Sequence, residues 1–433
     1  MNISFIGLGK LGLPLACCLA KSGNRVLGVD KNEYVLEKLN NNELPFYEPG
    51  LTDIFPHDNL IGFTDSYHRA VEETDASIIL VNTQLGDTGY SAEFVESALT
   101  DLAVNLKKSD KEYHLIVLSS TVLPGTIAKL IKLVEKISGR KFEEGFGFSY
   151  VPDFVKLGNV IKDFLNPEYF IIGSNNKKDC YTTESIWSDF HQNAPPHKYL
   201  TLEETEVAKV ASNAYIVSKI TFANFLGQLC DGMENVNVHQ ITNSIGIDKR
   251  ISPHFFGFGT PFGGTCFPRD TAAFIKFAET QGKEAKHIKF CNEVNESLYH
   301  DILNKCGQVE RVGVVGVSFK PNSPVTIGSP SVRLIHDLLK QGRLVYTYDE
   351  LEETYDNLNG REKNIIKCES VDECVGRSDI VVFMHPNKRY ATLDIEGKTV
   401  VDNWGIFSPL PPVVSLSQDV DWGDTEWEGT ELK

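Results

Sequence analysis

The stretch Asn2-Ile-Ser-Phe-Ile-Gly7-Leu-Gly9-Lys-Leu-Gly12 decides the fold. A short apolar run ends at a glycine, and two more glycines follow in GxGxxG spacing. A helical pattern then runs from about Leu11 to Ser22 and stops at Gly23. Strand, glycine turn and helix in that order form the phosphate-binding corner of a dinucleotide fold. Gly7 permits the tight turn, Gly9 lets a pyrophosphate approach the backbone, and Gly12 lets helix and strand pack closely. Lys10 and Leu11 complete the turn and lead into the helix, whose first N–H groups favour an anion. The next apolar run, Arg25 to Asp30, ends in a carboxylate. That group accepts from a ribose 2′-hydroxyl and repels a 2′-phosphate, which favours NAD over NADP. Lys31 pulls the other way.

Further apolar runs at Ser77–Val81, His114–Ser119 and Tyr169–Gly173 alternate with helix-compatible segments. This alternation predicts a parallel sheet with helices on both faces. Thr201-Leu-Glu-Glu has the form of a capping box, and a long helical pattern follows to about Glu234 with Gly227 inside it. Such a helix suits joining domains and carrying a dimer face. Arg311 to Lys320 restarts the alternation with a buried strand, and Arg343–Asp349, Ile380–Met384 and Thr399–Asp402 continue it. The fold class is therefore α/β: two Rossmann-like, doubly wound parallel-sheet domains joined by a long central helix and a helical segment. A Pro-rich, then acidic tail ends the chain as a solvated segment.

At 433 residues the chain has room for about three domains. Its net charge of −17 argues against general nucleic-acid binding, which needs basic surface to neutralise phosphate. No apolar run approaches the ~20 residues that span a bilayer, and the N-terminus opens directly on a strand without a leader pattern. Nine scattered cysteines without CxxC or zinc spacing fit a reducing cytoplasm and no metal. Cys17, Cys18, Cys230 and Cys291 read as small core residues.

One cysteine stands apart. Phe262-Gly263-Gly264-Thr265-Cys266-Phe267-Pro268-Arg269-Asp270 places a thiol after two glycines that leave it open, with a carboxylate four residues later. A nucleophilic cysteine beside a nicotinamide cofactor points to oxidation through a thioester. Asp270 could equally cap the helix that follows, and Lys209 and Asn213, taken alone, could be a solvated helix face. Phe255, Phe256, Phe258 and Phe262 could serve core or site equally.

These motifs, with others in the same order, make the chain resemble the UDP-glucose/GDP-mannose dehydrogenase family from Met1 to about Asp402. Glu48-Pro-Gly-Leu51, Val81-Asn-Thr83, Val95-Glu-Ser-Ala98 and Ser120-Thr-Val-Leu-Pro-Gly-Thr126 match family segments. Pro152-Asp-Phe154 with Gly158, Asp163-Phe164 and Pro167 follows another. Asp248 with Arg250 and Ile251, the cysteine stretch, and Phe319-Lys-Pro-Asn322 with Ser329-Pro330 complete the match. The resemblance implies oxidation of carbon 6 of a UDP-sugar, most simply UDP-glucose, to the uronate with two NAD.

The resemblance also implies roles. Cys266 is the nucleophile. Lys209 and Asn213 stabilise developing oxyanions. Asp270 and Thr121 hold the water or hydroxyl, and Asp153 stands where the family has the glutamate of thioester hydrolysis. Thr83, Thr121 and Arg269 join Gly7 to Gly12 and Asp30 at the cofactor. Lys209, Arg250, Phe255, Phe262, Gly263 and Lys320 face the nucleotide sugar, with Arg250 reaching the substrate of a second subunit in a homodimer. The implied division is residues 1–198 for NAD, 199–300 for dimerisation and catalysis, 301–408 for the nucleotide sugar, and 409–433 as the tail.

The pattern breaks in places. Leu157 replaces a glutamate, Ile327 and Trp404 replace arginines, and Gly259-Thr-Pro261 stiffens the loop before Phe262. Lost guanidinium groups remove bidentate contacts that Lys320 alone does not replace. Two other readings compete. A β-hydroxyacid dehydrogenase of the 6-phosphogluconate type transfers one hydride and needs neither Cys266 nor the segment after Arg311. A noncatalytic relative would keep the fold and bind nucleotides only.

Overall fold

The computed structural model describes residues 1–86, 89–155, 158–188, 191–356 and 365–407. Leu157 and the acidic tail lie outside them.

The N-terminal sheet has eight strands: β1 (Asn2–Ile6), β2 (Arg25–Val29), β3 (Leu60–Thr64), β4 (Ala76–Ile79), β7 (Leu115–Leu118), β8 (Gly147–Tyr150), β9 (Phe170–Gly173) and β10 (His197–Leu200). A two-stranded hairpin, β5 (Leu85–Gly86) with β6 (Gly89–Tyr90), stands outside it. The order is β10-β9-β8-β7-β4-β1-β2-β3, so the chain reverses direction across the sheet between β1 and β4. All junctions are parallel except β8 with β9. Both faces are covered. Ile3 and Phe5 of β1 enter one core with Ile78, Leu115 and Val117, while Ile6 enters the opposite core with Ile79, Ile116 and Leu118. That is why these strands read as continuous apolar runs rather than alternating ones.

The long helix spans Leu202–Cys230 and begins with the expected capping box, in which the Thr201 hydroxyl accepts from the Glu204 N–H and the Glu204 carboxylate accepts from the Thr201 N–H. It ends about one turn earlier than the apolar pattern suggests, at Asp231 and the glycine turn after it. The helix that carries the cysteine segment (Phe267–Thr280) packs along it, as does Lys286–Lys305.

The second sheet contains β11 (Arg311–Val315), β12 (Leu344–Tyr348), β13 (Ile365–Lys367), β14 (Ile380–Phe383) and β15 (Thr399–Val401), in the order β13-β12-β11-β14-β15 with every junction parallel. β11 stops five residues before Lys320, because Gly316 takes φ +91° and turns the chain out of the sheet. The two sheets repeat one device. Asp30 after β2 accepts from the Leu8 N–H, and Asp349 after β12 accepts from Val317 and Ser318, each carboxylate tying down the turn after the first strand of its sheet.

Candidate active site

The glycine corner has three different glycines. Gly7 sits at φ +100°, and a Cβ there would lie 2.3 Å from the Leu80 carbonyl oxygen. A Cβ on Gly12 would lie 1.8 Å from the Gly7 carbonyl oxygen. Gly9 faces open space, with nothing within 4 Å of its Cβ direction. The helix that follows (Gly12–Lys21) has no side-chain cap at Leu11; the Leu13 N–H donates to the Gly9 carbonyl at 3.1 Å, and the positive end of the helix dipole favours an anion at this corner. Asp30 accepts from Leu8 at 2.7 Å through one oxygen and from Asn32 at 2.8 Å through the other, and each oxygen keeps a further lone pair for a ribose hydroxyl. Lys31 is turned away, 2.6 Å from Asp101 and 3.0 Å from Ser97. Lys10 is exposed beside the turn. This corner opens at the β1/β4 reversal, the position where such sheets bind nucleotides, and its chemistry fits NAD.

One face of the long helix organises the rest. Glu206, Lys209 and Asn213 are three and four residues apart and share it. Glu206, almost fully buried, accepts from the N–H groups of Gly125 and Ile127 at 2.8 Å each, and so holds the loop that carries buried Thr121. The Lys209 ammonium donates to the backbone carbonyl of Asp153 and lies 4.5 Å from the centre of the Phe154 ring. Asn213 donates to Asp270 at 2.5 Å. Lys209 is buried, so this is no solvated helix face. The Asp153 carboxyl accepts from the Val155 N–H at 2.8 Å; burial pushes it above the usual carboxylate range, and Lys209 opposes that shift.

Cys266 is exposed and occupies the N-cap position of its helix, 3.6 Å from the Thr265 hydroxyl. The N-terminal N–H groups there can meet negative charge that develops beside the sulfur. Asp270 is 1% exposed, and its carboxylate accepts from Asn213, Tyr90 and Arg269 rather than capping the helix. Arg269 also donates to the Thr83 carbonyl at 3.1 Å.

The loop before the cysteine is clamped from several sides. Asn295 accepts from the Phe262 N–H at 2.7 Å and donates to its carbonyl at 3.0 Å. The Gly264 N–H donates to Gly328 at 2.9 Å, and a Cβ on Gly263 would lie 2.4 Å from the same Gly328 oxygen. The glycine pair is thus required by close passage of the second domain as well as by access to the thiol. The four phenylalanines divide. Phe256 stacks on Phe222 and Phe258 fills the space left by Gly227, while Phe255 and Phe262 frame Phe267 next to the cysteine.

Lys320 lies at the seam between the sheets. Its charge acts on Glu48, which accepts from the N–H groups of Gly158 and Val160, and Gly158 passes against the Asn322 carbonyl. Trp404 fills the seam elsewhere: its indole donates to Met384 at 3.1 Å and its ring stands where a Cβ on Gly259 would be. Ile327 is 70% exposed. Arg250 pairs with Asp248 at 2.6 Å on the surface and, among the described residues, has no hydrogen bond or ion pair with another candidate. Of the four core cysteines, Cys17, Cys18 and Cys291 are buried and Cys230 is partly exposed. Glu206, Tyr90 and Asn295 were not singled out in the sequence. Glu206 carried a usable signal, because a glutamate three residues before Lys209 falls on the same helical face.

The fold and the corner define a class, NAD-dependent oxidoreductases that act on CH–OH groups. Residues 1–191, 203–297 and 313–409 match the NAD binding domain, the central domain and the UDP binding domain of the UDP-glucose/GDP-mannose dehydrogenase family. The chain is 31% identical over 408 residues to UDP-glucose 6-dehydrogenase AglM of Haloferax volcanii, covering 92% of this chain and 94% of that protein. It is 32% identical over 360 residues to UDP-glucose 6-dehydrogenase TuaD of Bacillus subtilis, covering 81% and 76%. A solved UDP-glucose dehydrogenase from Pyrobaculum islandicum superposes with a TM-score of 0.85 at 30% identity, covering 93% and 94%. The chain belongs to the UDP-glucose/GDP-mannose dehydrogenase family.

Proposed function

We propose that this protein is a UDP-glucose 6-dehydrogenase that oxidises the C6 alcohol to the carboxylate in two steps at Cys266. Two NAD molecules, held one after the other at the glycine corner by Gly7 to Gly12 and Asp30, would supply the hydride acceptor for the two oxidations, and the rest is done by this chain's side chains. After the first oxidation the Cys266 sulfur adds to the C6 aldehyde, and the thiol proton ends on the new hydroxyl. The second oxidation removes the C6 hydrogen as hydride and the hydroxyl proton, which leaves a thioester. Water then adds, the carbon–sulfur bond breaks, and the thiol is restored. Lys209 and Asn213 face the oxygen on which charge develops. Asp270 and Thr121 orient the hydroxyl or water, and Asp153 draws a proton from the hydrolytic water.

The observation that supports this reading most is the single helical face that carries Lys209 toward Asp153 and Asn213 toward Asp270, beside the start of the Cys266 helix. The match of residues 313–409 to a UDP binding domain sets it apart from a one-hydride β-hydroxyacid dehydrogenase. Lys320 and the backbone of Gly263 would take the diphosphate side, with Trp404 and Ile327 altering the sugar and phosphate contacts. Incubation with UDP-, GDP- and dTDP-sugars while NADH is followed tests it; UDP-glucose should turn over fastest, and no turnover by any sugar would sink it.

The homodimer is part of the same reading. Tyr215, Phe222 and Leu229 recur every seven residues on the long helix and are all exposed, an apolar stripe suited to a second copy. A partner would also bring a second Arg250 toward this site. All nine cysteines are free thiols, which supports a reducing cytoplasm.

A further inference from the structure

Tyr90 is a buried tyrosine that the steps above do not use. It ends β6 of the hairpin, 6% exposed, packed with Val210 and Ala273. A buried phenol needs a hydrogen-bond partner. Here the hydroxyl donates to Asp270, 180 residues away in sequence. Burial pushes the phenol far above its ordinary range, so it stays a donor at neutral pH. The segment holding Tyr90 leaves the sheet at β4, beside the reversal where the cofactor crevice opens. Before the hairpin, the Thr83 carbonyl accepts from Arg269; at the hairpin's last residue, Tyr90 donates to Asp270. The Arg269 guanidinium also lies 5.1 Å from the centre of the Tyr90 ring. The two ends of one cofactor-side segment therefore grip two consecutive residues of the Cys266 helix.

We propose that Tyr90 is a positioning residue for the dehydrogenation: its hydroxyl holds one oxygen of Asp270, so that the other stays on Asn213 and both side chains keep their aim at the reacting centre. This rests on the role of Asp270 given under the proposed function. A hydrogen bond to a carboxylate affects geometry and charge there without touching substrate, so its loss should appear in turnover rather than in binding.

The test is Tyr90→Phe, which keeps the ring and removes the donor. The expected result is a fall in kcat of about tenfold, with KM for NAD and for the sugar nucleotide within about twofold and a modestly lower Tm, since a buried carboxylate loses a donor. Wild-type NADH formation is measured first. No turnover across the sugar panel overturns the reading of function. An active wild type matched by Tyr90→Phe overturns the role of Tyr90 alone. A loss carried by KM with kcat unchanged also overturns it, because the residue would then serve binding and not the aim of Asp270.

Discussion

Asn213 on the long helix and Asp270 on the cysteine helix meet at 2.5 Å across 57 residues of chain. The contact joins the two helices at the point where the Cys266 helix begins. Asn213→Ala leaves the Asp270 carboxylate short of one donor and removes an amide from the reacting face. Turnover should fall by roughly a hundredfold with KM little changed, as for removal of one oxyanion donor. Steady-state NADH assays check this; a variant within about twofold of wild type would show the pair to be structural.

The glycine corner predicts a split between folding and binding. Gly12→Ala forces a Cβ against the Gly7 carbonyl at 1.8 Å, a backbone atom that cannot move aside, and should destabilise the protein by at least about 1–3 kcal/mol. Gly9→Ala meets nothing in the protein and should leave Tm unchanged while raising KM for NAD at least about tenfold, if that open space is where the pyrophosphate binds as proposed. Thermal melts and NAD titrations distinguish the two.

Cofactor choice should rest on Asp30 and not on Lys31. Lys31 is drawn to Asp101 and Ser97, so Lys31→Ala should leave the preference for NAD over NADP nearly unchanged. Asp30→Asn should narrow it by removing the charge that repels a 2′-phosphate, and should also loosen the turn through Leu8. Parallel kcat/KM values with the two cofactors provide the check.

Much of this is legible in the sequence. Local periodicity and turn chemistry showed the glycine corner, the capping box at Thr201 and the alternation that became two sheets, parallel at every junction but β8 with β9, because each is decided by neighbours in sequence. What stayed hidden depends on long-range packing. Nothing near Tyr90 in sequence indicates a carboxylate partner on another domain. At Trp404 the sequence shows only a missing guanidinium, whereas the fold shows an indole filling the seam against Gly259. The glycine pair before Cys266 pointed to access for the thiol, and it is also the passage that Gly328 requires. Asp270 had two readings that sequence could not separate; its burial among three side-chain donors separates them.

The hydrolytic role proposed for Asp153 predicts a pH dependence. Burial raises its carboxyl above the ordinary aspartate value, so the neutral form persists to higher pH than in a free side chain. A base must be ionised, so turnover limited by thioester hydrolysis should decline as pH falls through that raised value. Asp153→Asn should lower kcat and flatten this limb, while Asp153→Glu should retain it. A pH–kcat profile of Asp153→Asn that overlays wild type would remove Asp153 from the hydrolytic step.

The central claim is a covalent four-electron oxidation at Cys266, and the yield of NADH and uronate per UDP-glucose tests it most directly. Wild type should give two NADH and one UDP-glucuronate per sugar consumed. Cys266→Ser, with its fold intact, should release no uronate at an appreciable rate. A Cys266→Ser enzyme that still yields two NADH and the free acid at the wild-type rate would contradict the account.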